Sequence, residues 1–442
     1  MNKVRTRAFS LIILIAIAAF GMGFYIIRLF IYGGEWASAP FNATAYRAGV
    51  LAVGTVTDRN GVILADVTDG KRTFAESERV RRATLHAVGD RDGNVGTGAL
   101  TVYAPQLMRY NFITGSYSMS GTGRSISLTI DSGLNAAALR ALDGRNGVVM
   151  VSNYKTGEVL CMVSSPTFDP DNPPANVDTP AYEGVYVNRA IQSVFTPGST
   201  FKLVTATAAI EQVSDIYDRV FLCTGELKTD RGTLTCPREH GSIGFERGMQ
   251  VSCNVVYGEL ALIMGADIMA QYAAKLGLSE RTTVGGITTA KGNFDKAEQS
   301  TADLAWSGVG QFNNTVCPAA MLRFVGAVAN DGNAVSLQLL KSSSFLSVQS
   351  ATTKRLLDRS TAAQLGYIIE VENRDNFPGL EIYAKSGTAQ VGGDKDPHAW
   401  YVGYITNTDY PLAFVVMVEN GGGGTAVAAP IASRVLQEAI GR

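Results

Sequence analysis

An uncharged run of twenty residues, Ala8 to Ile27 (AFSLIILIAIAAFGMGFYII), constrains this chain more than any other feature. At 1.5 Å per residue, a helix of that length covers a hydrocarbon layer of roughly 30 Å. Lys3, Arg5 and Arg7 precede the run, and the stretch beyond Arg28 is poor in basic residues. The positive-inside rule therefore predicts a single pass, with the N-terminus in the cytoplasm and the bulk of the chain extracytoplasmic. Ala37-Ser38-Ala39 superficially fits a signal-peptide cleavage site, but it lies well past the apolar run with Pro40 directly after it. An uncleaved anchor is the better reading.

Composition then removes several classes. Of 442 residues, 46% are hydrophobic and 17% charged, enough apolar surface for a packed core. With 38 basic against 39 acidic residues the formal charge is −1, so the broad positive field of a nucleic-acid binder is missing and no nucleic acid is expected as a partner. Three His (His86, His240, His398) and five Cys are scattered along the chain, too thin for a zinc finger or an HExxH enzyme. No metal ligand set is read, and no cofactor is called for. Export permits disulfides. Cys223 and Cys236 flank a short Gly- and Thr-containing segment that reads as a candidate hairpin, and they are a candidate pair, against the alternative of five reduced thiols.

Along the chain, AVGTVTDRNGVILAD (Ala52 to Asp66) alternates on both sides of Asn60-Gly61, a hairpin signal. A small mixed module follows to about Gly123, and its basic cluster Arg79, Arg81 and Arg82 reads as a solvated face. The pattern changes near Ser125. Ser127 to Asp131 reads as a strand ending at an Asp N-cap, followed by a helix through Leu142. Two apolar strands then flank the Lys155-Thr156-Gly157 turn, and a proline-rich loop comes next. Helical patterns dominate from Thr200 to about Asn330. Strands return at Ile382 to Val391, His398 to Thr406 and Leu412 to Glu419, and a last helix starts near Pro430. Strands at both ends with helices between predict an α+β domain, one antiparallel sheet covered by helices.

Three short motifs carry chemistry. In Thr196-Pro197-Gly198-Ser199-Thr200-Phe201-Lys202 the Pro-Gly pair breaks the chain, and Ser199 stands at a helix start with Lys202 one turn on. A serine at its free pKa needs an adjacent base, and lysine serves only where burial or a neighbouring cation keeps it neutral. Ser-x-x-Lys alone is weak. Ser152-Asn153-Tyr154-Lys155 also fits it, but on an expected hairpin turn. Ser252-Cys253-Asn254 puts a hydroxyl and an amide on one side of a short loop, able to relay a proton and hold a substrate amide. Lys385-Ser386-Gly387-Thr388 lies on an expected strand, where alternation sends Lys385 and Gly387 to one face and Ser386 and Thr388 to the other.

Ser-x-x-Lys, Ser-x-Asn and Lys-Ser/Thr-Gly, in this order, form the signature set of penicillin-binding proteins and serine β-lactamases. The chain resembles a class B penicillin-binding protein, a membrane-anchored peptidoglycan D,D-transpeptidase. The likeness extends through TVTDRNGVILA (with Val53 where an arginine is usual), GVVMVSNYKTGEVLCMVSSPTFDPDNP, Asn188-Arg189-Ala190, HGSIGFERGMQVSCN, GVGQFNNTVCP and HAWYVGY. It implies a five-stranded antiparallel sheet covered by helices, the fold shared with serine β-lactamases, with a small N-terminal pedestal module. The corresponding division is 1–7 cytoplasmic tail, 8–32 transmembrane anchor, 33–124 pedestal and 125–442 transpeptidase.

By the same resemblance Ser199 is the acylated nucleophile, Lys202 its base, and Ser252, Asn254 and Lys385 complete the catalytic set. Ser386, Gly387 and Thr388 bind substrate, and the backbone N–H groups of Ser199 and Thr388 form the oxyanion hole. The implied substrates are D-Ala-D-Ala pentapeptide stems, and β-lactams are covalent inhibitors. A membrane glycan-strand polymerase of the shape, elongation, division and sporulation type is the implied partner. Two rivals stand beside this reading: a β-lactam-hydrolysing enzyme or sensor on the same fold, and an inactive scaffold of a wall-synthesis complex. Gly421 to Gly424 lacks a following Lys-Ser/Thr and reads as a turn, not a phosphate loop.

Overall fold

The computed structural model describes residues 2–38, 54–68, 71–108, 124–341, 351–369, 381–407 and 409–441. Helix α1 (Asn2–Ser38) contains one apolar stretch long enough to cross a membrane, Arg5–Ile31, with none of it buried against the rest of the chain. Val53 lies outside the described residues.

The hairpin read at Asn60-Gly61 is present. Strands β1 (Val56–Thr57) and β2 (Ile63–Thr68) pair antiparallel, β3 (Lys71–Phe74) follows, and helix α2 (Glu78–Val88) comes next. Strand β4 (Ile126–Ser127) runs parallel to β1, giving the order β3-β2-β1-β4. The strand expected from Ser127 to Asp131 thus belongs to this small sheet and is shorter than read. Asp58, fully buried, joins the sheet to helix α3 (Ser132–Leu142). Its Oδ1 accepts from the backbone N–H groups of Asn60 and Val62, and its Oδ2 from the N–H and hydroxyl of Ser132. Asp131 caps α3 as expected, accepting from Leu134 N–H at 2.8 Å. The basic cluster is only partly a solvated face. Arg81 makes a bidentate pair with Asp169, both contacts 2.7 Å, and pins the proline-rich loop to α2.

The main sheet has the order β11-β12-β13-β5-β6, antiparallel throughout. Strands β5 (Gly147–Asn153) and β6 (Val159–Ser165) come before the helical region. Strands β11 (Ile382–Ala389), β12 (His398–Ile405) and β13 (Leu412–Val418) come after it. The strands read as unbroken apolar runs because both faces are covered. Val149, Val151, Phe414 and Val416 pack with α3 and the C-terminal helix α8 (Ala429–Ile440). Val148, Met150, Val415 and Met417 point the other way, towards α4 (Lys202–Gln212), α5 (Asn254–Lys275) and α7 (Pro318–Ala329).

The stretch between α4 and α5 departs from the helical expectation, and the hairpin read between Cys223 and Cys236 is present within it. Strand β7 (Val220–Cys223) pairs with β10 (Gly241–Gly244), and β8 (Glu226–Lys228) with β9 (Thr233–Thr235). Runs of three or four residues are too short for a period of two to stand out from a helical background. Past α5, the short helix α6 (Ala302–Gly308) packs along it, held at its start by the Thr301 side chain.

Candidate active site

Ser199 sits in a single 3₁₀ turn, Gly198–Phe201, that leads directly into α4. The sequence suggested an α-helical start. The tighter winding matters, because residues i and i+3 share a face in a 3₁₀ turn, and the Lys202 N–H closes that turn on Ser199 O. Gly198 has φ +54°, and a Cβ there would come within 2.8 Å of the Thr388 carbonyl, so only glycine lets the turn lie against β11. From the other side, the Gly198 N–H donates to Gly310 O at 2.9 Å, which draws the GVGQFNN segment under Ser199.

Lys202 is fully buried. Among the described residues its Nζ bonds Ser252 O at 2.6 Å, Asn254 Oδ1 at 2.8 Å and Ser252 Oγ at 3.2 Å. Burial, reinforced by the positive charge of Lys385, holds its pKa well below the ordinary lysine range. The three motifs therefore meet at one hydroxyl. Ser252 Oγ lies between Lys202 and Lys385, whose Nζ donates to it at 3.0 Å. Ser252 itself adopts a left-handed backbone, φ +54°, unusual for a residue with a side chain and held by N–H bonds of Ser252 to Met249 O and Cys253 to Gly248 O. Asn254 opens α5 and donates its side-chain N–H to Thr235 O at 2.8 Å, so its Oδ1 is aimed at Lys202.

Strand β11 shows the alternation read from its sequence: Lys385 and Gly387 are buried, Ser386 is half-buried and Thr388 exposed. β11 is an edge strand beside the 3₁₀ turn. Gly387 lies opposite Trp400 in the register and close against Pro197 and Thr200. The Thr388 hydroxyl accepts from Gly424 N–H at 3.3 Å, so the glycine turn read as a flexible connection is packed against the motif strand. The second Ser-x-x-Lys does lie on a turn. Asn153 Oδ1 accepts from the N–H groups of Lys155 and Thr156, and Lys155 Nζ reaches Asn330, away from the cluster.

Two features escaped the sequence. The buried Arg189 pairs with Glu419 at 2.5 Å, joining Asn188-Arg189-Ala190 to the end of β13. The cysteines, scattered along the chain, are not scattered in space: Cys223, Cys236 and Cys253 converge with His240, their ligating atoms all within 4.8 Å of one another. All five cysteines are unbridged, so the Cys223–Cys236 pair is close but not a disulfide. The spacing Cys-x12-Cys-x3-His-x12-Cys is visible in the sequence once both hairpins are known.

The family model of the penicillin binding protein transpeptidase domain matches residues 147–437. Peptidoglycan D,D-transpeptidase PbpA of Mycobacterium tuberculosis is 27% identical over 333 residues, 66% of this chain and 67% of that one. Stage V sporulation protein D of Bacillus subtilis is 27% identical over 362 residues, 73% of this chain and 54% of its own. Peptidoglycan D,D-transpeptidase MrdA of Escherichia coli is 26% identical over 356 residues, 69% and 56% respectively. The structure of penicillin-binding protein A from M. tuberculosis as a ceftriaxone acyl-enzyme complex superposes with a TM-score of 0.76 at 23% identity, covering 88% of this chain and 99% of that one. At that identity the likeness shows the fold. The match to the family model begins at β5, takes in the five-stranded sheet, α4 to α7 and most of α8, and includes all three motifs. The chain belongs to the penicillin-binding protein transpeptidase family.

Proposed function

We propose that Ser199 is the nucleophile with which this serine transpeptidase cross-links peptidoglycan stems, and that Lys202 is its base. The observation that carries the assignment is the buried Lys202 amine, one 3₁₀ turn from Ser199 and held by Ser252 and Asn254. A neutral amine there takes the Ser199 proton as Oγ attacks the carbonyl of the penultimate D-Ala. The N–H groups of Ser199 and Thr388 receive the oxyanion. Ser252 Oγ, in hydrogen-bond reach of both lysines, returns the proton to the departing D-Ala amine. The edge of β11 gives an extended stem a strand to pair with, while Gly387 lets that strand lie against Pro197 and Thr200 beside the nucleophile. An amine of a neighbouring stem then attacks the ester and frees Ser199.

The wider reading is a single-pass protein with its N-terminus in the cytoplasm, a pedestal over 33–124 and the transpeptidase domain over 125–442. It works beside a membrane glycan-strand polymerase, to which α1 and the pedestal are the proposed contacts. Incubation with a fluorescent penicillin tests the site. One equivalent of label on the Ser199 peptide, lost in Ser199→Ala and slow to hydrolyse, is the expected result. Label on another side chain overturns the assignment, and rapid turnover of the drug favours a β-lactamase instead.

A further inference from the structure

We propose that Cys223, Cys236, His240 and Cys253 form a zinc site that fixes the Ser252-Cys253-Asn254 loop. The four come from four element ends: Cys223 closes β7, Cys236 follows β9, His240 precedes β10, and Cys253 caps α5. Hydrophobic collapse alone gives no reason for three thiols and an imidazole to turn inward on one point.

The separations fit an ion better than they fit bystanders. Zn–S bonds of about 2.3 Å and Zn–N bonds of 2.0–2.1 Å in a tetrahedron give edges of roughly 3.8 Å between sulfurs and 3.5 Å between sulfur and nitrogen. Here His240 Nδ1 lies 3.4 Å from Cys223 Sγ and 3.6 Å from Cys236 Sγ, and the Cys236 and Cys253 sulfurs are 3.9 Å apart. The Asn254 N–H points at Cys236 Sγ from 3.3 Å, the outer-shell contact that a metal-bound thiolate accepts. Three thiolates and one imidazole make a soft donor set that selects zinc over magnesium or calcium. Cys223 and Cys253 are fully buried while Cys236 and His240 are half-buried, which leaves an entry path for the ion.

On binding, the three thiols release their protons to solvent, His240 donates through Nδ1, and four protein–zinc bonds replace bonds from zinc to water. The consequence reaches the active site through one residue. Cys253 stands between Ser252 and Asn254, the two groups that hold Lys202. The ion ties both small hairpins to that loop, and the four ligands are positioning residues. This consequence rests on the role proposed for Lys202, but the metal content does not.

The test uses the full chain purified in detergent under reducing conditions. Elemental analysis is expected to give about one zinc per chain, and cobalt exchanged into the site to show thiolate-to-cobalt bands of a four-coordinate complex. The double variant Cys223→Ser/His240→Ala is expected to lose the metal, while Cys161→Ser and Cys317→Ser retain it. Stripping zinc from the wild type is expected to slow penicillin acylation at least tenfold, with recovery on adding zinc back. Less than a tenth of an equivalent of zinc in the wild type, or a Cys236–Cys253 disulfide in the freshly purified chain, overturns the proposal. So does full zinc in the double variant. Failure of Ser199 to acylate, with zinc present, counts against the proposed nucleophile and not against the metal site.

Discussion

The indole N–H of Trp400 donates to the backbone carbonyl of Thr196 across 3.0 Å, with the ring fully buried. Trp400 is also the register partner of Gly387. One side chain thus clamps the segment leading to Ser199 against the strand that carries Lys385 to Thr388. Trp400→Phe keeps most of the ring and leaves a half-buried carbonyl without its donor, at a cost of about 1 kcal/mol. We expect a lowered Tm and an acylation rate reduced about tenfold. Normal acylation in a destabilised variant would show that the bond supports the fold alone.

With Lys202 as the proposed base, acting as a neutral amine, acylation should rise with pH through its pKa and level off above it. Burial, then the charge of Lys385, depresses that pKa, and the rise should fall well below the ~10.4 of a free lysine side chain. Lys385→Met removes the neighbouring charge and leaves the burial. Its residual acylation should rise at higher pH than in the wild type, while Lys385→Arg keeps the wild-type position. The profile of stopped-flow acylation rates decides, and a shift to lower pH contradicts the scheme.

Gly424 is packed where no side chain fits. A Cβ there would overlap the carbonyl oxygens of Trp400 and Gly387 and crowd the Gly387 N–H, all backbone atoms that cannot step aside. Gly424→Ala should therefore destabilise by about 1–3 kcal/mol and displace β11 by pressing on it from the face opposite the 3₁₀ turn. Thermal unfolding and penicillin labelling are both expected to suffer. Gly422→Ala tests the neighbouring turn, because its Cβ would meet nothing within 4 Å, although its φ of +89° makes an alanine there strained.

Asp58→Ala removes the carboxylate that accepts from Asn60, Val62 and Ser132. The two Ser132 donors are left in a buried setting while those of Asn60 and Val62 can turn to water, so a loss of about 1–3 kcal/mol is expected. The loss should register in chemical denaturation, and hydrogen exchange should quicken at the start of α3. Exchange unchanged at Ser132 would refute the link.

The motifs were legible because each sits where local chemistry leaves little choice. Pro197-Gly198 can only break the chain, and the period of two through Ile382 to Ala389 survives in a strand of eight residues. Asp131 as a cap, the Asn60-Gly61 hairpin and the rejected Lys155 turn follow the same logic. What escaped depends on residues far apart in the chain. Glu419 is 230 positions from Arg189, and neither residue type predicts the pair. The cysteine cluster escaped for a related reason. Its ligands meet only if two hairpins form, and strands of three or four residues leave almost no periodic trace. Arg81 misled because a run of basic residues looks alike whether it faces water or a buried carboxylate.

The strand order also sets a timetable for making the enzyme. β5 and β6 leave the ribosome before Ser199, yet their neighbour β13, and the edge strand beside the Ser199 turn, come only after the whole helical region has been made. A half-synthesised chain already carries its serine and lysine but has no strand to cradle a drug or a stem. On the proposed roles, neither acylation by a drug nor cross-linking can begin until β11 has joined the sheet.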